Sequence, residues 1–170
     1  MDFSGRVRNE LARALPKRRC CQRAELAAFA AFAGEVVGDE FVISTGTAAV
    51  ARKVFSLAKQ AQGVAPTMNR PATRRGRFTV VLEAPIASGS DVYERDCCGR
   101  AYLRGAWLSR GSISEPEAGY HLEFVATKPE LAAILQHLLV RYGVSAGMAR
   151  RKSDDVVYIK GADGIAELLR

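Results

Sequence analysis

The chain has no apolar run approaching the roughly 18 to 20 residues that cross a bilayer, so neither a membrane-spanning role nor a membrane partner is expected. Its first ten residues are polar and mixed in charge, without the apolar stretch of a secretory signal, and a cytoplasmic location is expected. Histidine is scarce: His121 and His137 are not placed to complete a metal site with cysteines. The four cysteines stand in two adjacent pairs, Cys20-Cys21 and Cys97-Cys98. Zinc ligands are normally spaced by about two to four residues, and adjacent cysteines rarely bridge each other because the geometry is strained. The thiols therefore read as small apolar core residues, and no metal or other cofactor is expected. Residues 91–170 also lack any excess of charge, holding 11 Lys/Arg and 11 Asp/Glu. Residues 1–90 hold 14 against 7, so the whole net charge of +7 lies there.

What is present suits a folded domain. Apolar residues make up 48% and charged residues 25% of 170 residues, enough for one core or two small fused halves. Three basic clusters stand out, Lys17-Arg18-Arg19, Arg74-Arg75-Gly76-Arg77 and Arg150-Arg151-Lys152. Clustered arginine is compatible with a phosphate-bearing partner.

The strongest signal is internal repetition, which is worth seeking before any local motif. Residues 20–36 read CCQRAELAAFAAFAGEV and residues 97–113 read CCGRAYLRGAWLSRGSI. At an offset of 77 they share Cys20/Cys97, Cys21/Cys98, Arg23/Arg100, Ala24/Ala101, Leu26/Leu103 and Gly34/Gly111. Each copy leads into a short β-type run, Glu40-Phe41-Val42-Ile43 and Glu123-Phe124-Val125-Ala126. Helical segments follow at residues 48–62 and 129–142, with apolar residues at a 3.6-residue period, Pro129 at a first turn and Gly63 and Gly143 just past the ends. Each half closes with a hairpin. Residues 64–69 pair with 77–83, and residues 144–151 pair with 155–160 around Ser153-Asp154. The reading is an α+β protein made of two halves, residues 1–90 and 91–170, each running helix, strand, strand, helix, strand, strand. An amphipathic opening helix at residues 3–15 precedes them. A last helix starting near Gly164 stops in mid-pattern at Arg170, so the chain is expected to be a fragment of a longer protein.

Residues 103–113 resemble the LAGLIDADG signature of homing endonucleases at Leu103, Gly105, Gly111, Ser112 and Ile113, and residues 26–36 match it at Leu26, Ala27 and Gly34. The resemblance implies two helices packed at the centre of a pseudo-two-fold monomer, with the small residues Ala28 and Gly105 letting the backbones approach. It also implies two curved sheets forming a saddle over duplex DNA. In nucleases of this kind the penultimate motif residue is an acid that binds divalent metal. Those positions here hold Ala33, which has no ligand atom, and Arg110, which cannot bind a cation. No catalytic residue and no metal ligand are therefore assigned. Arg110 either offers a fixed positive charge to a phosphate or pairs with a nearby carboxylate.

A closer resemblance follows from Phe3-Ser4-Gly5-Arg6-Val7-Arg8-Asn9-Glu10-Leu11, Arg100-Ala101-Tyr102-Leu103-Arg104-Gly105-Ala106-Trp107-Leu108, Gly119-Tyr120-His121-Leu122-Glu123-Phe124 and Val156-Val157-Tyr158-Ile159-Lys160. These strings are similar to the bacterial WhiA family. That implies transcription regulation in sporulation and cell division, with a degenerate LAGLIDADG-like region and a helix-turn-helix domain that this chain would lack. The partners implied are double-stranded DNA and other transcription proteins. The candidate phosphate contacts are Arg70, Arg74, Arg75 and Arg77 on the first hairpin, Arg150, Arg151 and Lys152 on the second, and Arg110. Because alternate strand residues face opposite ways, only some of them can point at one groove. The alternatives are a platform docking a partner protein or the helix-turn-helix domain, and a residual nuclease using Glu35.

Overall fold

The computed structural model describes residues 2–73, 76–83, 86 and 88–169. Among these described residues, six α-helices and eight strands follow one another in the expected order. After α1 (Phe3–Arg13) come α2 (Arg19–Ala33), β1 (Gly34–Val37), β2 (Glu40–Thr45), α3 (Ala48–Gln62), β3 (Thr67–Asn69) and β4 (Phe78–Leu82). The same order repeats as α4 (Asp96–Arg110), β5 (Gly111–Ile113), β6 (His121–Ala126), α5 (Pro129–Arg141), β7 (Gly147–Arg151) and β8 (Asp154–Lys160), closed by α6 (Ala162–Leu169). The strands form two four-stranded antiparallel sheets of identical topology, β1-β2-β4-β3 and β5-β6-β8-β7. No helix among the described residues is long and apolar enough to cross a membrane.

The chain divides into two compact units, Val7–Ser109 and a second made of the residues up to Arg6 with Arg110–Arg170. In the first unit α2 is buried on nearly every side, from Cys21 through Ala24, Glu25, Leu26, Ala27, Ala28 and Phe29 to Phe32. A helix apolar all round is a core helix, and its alanines leave room for close neighbours. Gly105 of α4 uses that room. A Cβ built on it would lie 2.5 Å from the main-chain oxygen of Glu25 and 2.9 Å from the Ala28 Cβ. The close approach expected of Ala28 and Gly105 is thus present. Helix α2 passes into β1 without a loop, at Gly34, where a Cβ would lie 2.5 Å from the Ala30 oxygen and 2.4 Å from the Phe41 ring. Helix α3 is capped by Thr47, whose side chain accepts from the Val50 amide, and ends on Gly63 at φ 70°.

Between α2, α3 and α4 lies a buried ionic group. The Lys53 ammonium sits 2.8 Å from Glu25 Oε1 and donates to the main-chain oxygens of Leu11, at 3.1 Å, and Ala14. Arg104 donates to both oxygens of the same carboxylate, at 3.0 and 2.9 Å. Glu25 and Lys53 have no exposed side-chain surface, whereas Arg104 keeps 29%. Burial pulls the Lys53 amine below the usual lysine range, against the opposing pull of Glu25.

In the second unit, Leu131, Leu135, Leu138 and Leu139 of α5 are buried, as are Leu122 and Phe124 of β6 and Val157 and Ile159 of β8. Helix α5 packs on these two strands. Several boundaries differ from the sequence reading: β3 and β7 each begin three residues later than expected and α1 ends two residues earlier, and two further differences have a visible cause. The second hairpin turns on Lys152 and Ser153, not Ser153 and Asp154, because Lys152 takes the left-handed conformation at φ 55° and Asp154 already pairs with Arg151. Helix α6 starts at Ala162, two residues earlier than expected, because the Gly161 carbonyl already accepts from the Ile165 amide.

Candidate nucleic-acid interface

The hairpin arginines separate once the strands are in place. Arg70 directly follows β3 and Arg77 directly precedes β4, so the two bracket one loop, and both are exposed. Arg77 also donates from its guanidinium to the Ser44 carbonyl at 2.9 Å, which holds that head group against β2. Arg74 and Arg75 lie outside the described residues. On the second hairpin Lys152 occupies the tip and is exposed. Arg150 and Arg151 are neighbours in β7 and so point to opposite faces. Arg150 shares the α5-covered face with its partner Asp155, to which it donates at 3.1 Å. Arg151 lies on the other face.

That open face of the second sheet carries a polar network centred on one carboxylate. Glu123 of β6 accepts from Ser112 of β5 at 3.1 Å, lies 3.3 Å from the His121 ring nitrogen and pairs with Arg151 at 3.2 Å. Burial would raise the Glu123 carboxyl, but the hydrogen bonds of His121 and Ser112 and the charge of Arg151 outweigh it and hold the group below the usual range. His121 stacks on Tyr158, whose ring Lys160 overlies at 5.2 Å. Tyr158 also covers Gly147, where a Cβ would meet its ring at 2.4 Å. Glu123 and Ser112 are not among the phosphate contacts expected from the sequence. The alternation in His121-Leu122-Glu123-Phe124 is the signal that puts Glu123 on the open face.

The open face of the first sheet is different. Residues paired in register across it are Glu35 and Val42, Val42 and Val81, Ser44 and Thr79, and Thr67 and Val81. No Lys or Arg stands within these strands, whose only acids are Glu35 and Glu40. The edge strand β1 exposes Val36 by 74% and Val37 by 52%. The basic residues of this unit therefore lie on its helices, loops and hairpin ends and not within the strands of its sheet.

The two motif helices end alike. Ala33 is the last residue of α2 and Arg110 the last of α4, each followed directly by the glycine that opens a strand. Arg110 is exposed, as is Glu35 one residue past Gly34. Neither helix end presents a carboxylate, so this pair of positions does not suit a divalent cation.

Residues 19–84 match the family model of the WhiA N-terminal LAGLIDADG-like domain, and residues 99–170 match that of the WhiA LAGLIDADG-like domain. The chain is 35% identical over 201 residues to the probable cell division protein WhiA of Syntrophomonas wolfei subsp. wolfei, with 100% of the chain and 64% of that protein covered. To the protein of the same name from Heliobacterium modesticaldum it is 37% identical over 199 residues, covering 99% of the chain and 62% of that protein. The chain thus spans a little under two thirds of the length of these relatives. Among solved structures, full-length DUF199/WhiA from Thermatoga maritima superposes with a TM-score of 0.83 at 21% identity, covering 99% of this chain and 61% of that one. The homing endonuclease I-DmoI in complex with DNA and Mn superposes with a TM-score of 0.61 at 13% identity, covering 88% and 94%. The fold is that of the LAGLIDADG homing endonucleases, and with two WhiA models matched over most of its length the chain belongs to the WhiA family.

Proposed function

We propose that this chain is a non-catalytic, DNA-contacting part of a bacterial WhiA-type transcription regulator acting in sporulation and cell division. Its likeness to a DNA-bound homing endonuclease supports duplex DNA as the partner. The observation that carries the loss of cleavage is the chemistry at the two motif ends: Ala33 has no ligand atom and Arg110 is a fixed cation. The halves 1–90 and 91–170 act as one pseudo-two-fold monomer in the cytoplasm. Phosphates are met by side chains at the hairpin ends, Arg70, Arg74, Arg75, Arg77, Arg151 and Lys152, with Arg110 at the base of its helix. Arg150 is held by Asp155 on the opposite face and contributes least.

Fluorescence anisotropy of a labelled random-sequence duplex, read across a range of salt, tests this. Neutralising four phosphates gives a slope of log K against log salt near −3.6, about 100-fold weaker binding between roughly 50 and 200 mM salt. Arg70→Ala with Arg77→Ala should lower that slope by up to about two. No binding at low salt refutes the reading. Incubation of supercoiled plasmid with Mg²⁺ should leave it intact, and nicking that Glu35→Ala abolishes would restore a nuclease.

One observation favours a second reading, a platform for another protein. The first sheet's open face has no basic residue in its strands, and β1 exposes two valines at an edge. Interface cores are depleted of charge in this way. Failure to bind DNA together with retention of a partner protein, lost in Val37→Lys, would put this reading first.

A further inference from the structure

The four cysteine sulfurs form a cluster that contact with DNA leaves unused. Cys20 and Cys21 lie in the first turn of α2, Cys97 and Cys98 in the first turn of α4, and all four belong to the unit Val7–Ser109. Their Sγ atoms lie within 4.8 Å of one another. Within each adjacent pair the sulfurs are 3.9 Å apart, and all four cysteines are free thiols. Cys21 and Cys98 are buried against Ala24 and Ala101, while Cys20 and Cys97 are half-buried and leave a way in from solvent.

Four thiolates around one zinc ion, each at about 2.3 Å, form a tetrahedron with edges of about 3.8 Å. Two edges of the present cage already have that length. The longest exceeds it by about 1 Å, which small side-chain rotations can close. Clusters of two or four irons distribute their thiolates over different metal atoms and need a wider cage. Neither histidine nor carboxylate joins the group, so the donor set is purely sulfur, the set that selects zinc in a tetrahedral site.

We propose that Cys20, Cys21, Cys97 and Cys98 bind a single structural zinc ion that ties together the first turns of the two central helices. The surroundings suit its charge. Four thiolates and one Zn²⁺ leave two negative charges, and these fall in the first turns of α2 and α4, where the positive ends of the helix dipoles lie. Arg18, the residue just before α2, adds positive charge at that end of the helix. This gives part of the Lys17-Arg18-Arg19 run a role apart from DNA, since Arg19 instead donates to the Ala61 carbonyl. The pseudo-symmetry explains the unusual spacing. Each half supplies one adjacent pair, and the packing of the helices brings the two pairs together.

The test is metal analysis of the reduced chain, purified without chelator. One zinc per chain is expected. After its removal, cobalt should bind one to one and show the ligand-field and thiolate charge-transfer absorption of a tetrahedral sulfur site. Cys97→Ser and the double variant Cys20→Ala with Cys97→Ala change the half-buried thiols, so their folding can be verified by circular dichroism. In both, zinc should fall well below one per chain, whereas His137→Ala keeps it. A folded, reduced chain that is free of zinc and gives no cobalt absorption overturns the proposal. So does recovery of the cysteines as disulfides that take up no zinc once reduced.

Discussion

Glu25→Gln is expected to be among the most damaging single changes in the unit that holds the motif helices. Lys53 has three N–H donors, and the structure supplies three acceptors: Glu25 and the carbonyls of Leu11 and Ala14. Its hydrogen bonding is complete, but its charge is balanced only through Glu25, which Arg104 shares. The substitution keeps shape and a hydrogen-bond acceptor while removing the countercharge from a lysine with no exposed side-chain surface. Removing one partner of a buried pair costs about 3–5 kcal/mol. For a chain of this size that lowers Tm by roughly 6–20 °C. Arg104 adds little to the loss because it is partly exposed and can turn toward water. Thermal and urea unfolding of Glu25→Gln, Lys53→Met and the double variant form a cycle that isolates the charge. The double variant should recover more than half of the Glu25→Gln loss, since no uncompensated ammonium remains. A Glu25→Gln chain that melts within about 2 °C of the parent, or a double variant as unstable as the sum of the singles, would refute the reasoning.

Gly105→Ala should destabilise, although alanine favours a helix by about 1 kcal/mol over glycine. The added methyl meets the Glu25 carbonyl at 2.5 Å, where only movement of α2 can relieve it, and overpacking of that kind costs about 1–3 kcal/mol. Urea unfolding decides the sign, and a variant more stable than the parent would contradict the close-packing account. Glu123 sets an acid limit. Its folded pKa is depressed, so its contribution is full above the ordinary glutamate value of about 4.3 and is lost as pH falls through the lower folded value. Stability of Glu123→Gln measured between about pH 6 and pH 3 should fall less steeply than that of the parent. Parallel curves would mean that Ser112, His121 and Arg151 contribute nothing through this carboxylate.

The architecture was legible because repetition is a property of the string. Cys20-Cys21 and Cys97-Cys98 aligned with Leu26/Leu103 and Gly34/Gly111, and the two sheets carry the same strand order. Gly63 and Pro129 punctuate helices through local backbone chemistry, so their meaning needs no tertiary context. The misplaced turn at Lys152 had no such marker, because a lysine in the left-handed conformation is set by the register of β7 on β8. The basic hairpins were legible as charge, but their aim was not. Only strand parity and the positions of Asp155 and Glu123 show that Arg150 and Arg151 leave the sheet on opposite sides.

The ionic and sulfur groups at the centre were hidden for a different reason. Glu25 and Arg104 are 79 positions apart, and Glu25 and Lys53 come from helices whose sequences show no complementary charge pattern. The cysteines were visible and two of them are buried as expected, but a spacing rule drawn from single loops does not foresee that the two pairs meet. That rule assumes that one segment supplies two ligands around a turn, whereas here each helix start supplies an adjacent pair. A duplicated sequence whose two copies of one helix pack together doubles every residue at that contact. Two thiols in one repeat then become four around a point, and a residue type that looks like core filling in one copy acquires the geometry of a site in the pair. Duplication works the other way at the motif ends, where the resemblance implies an acid in each copy and the two copies hold Ala33 and Arg110 instead.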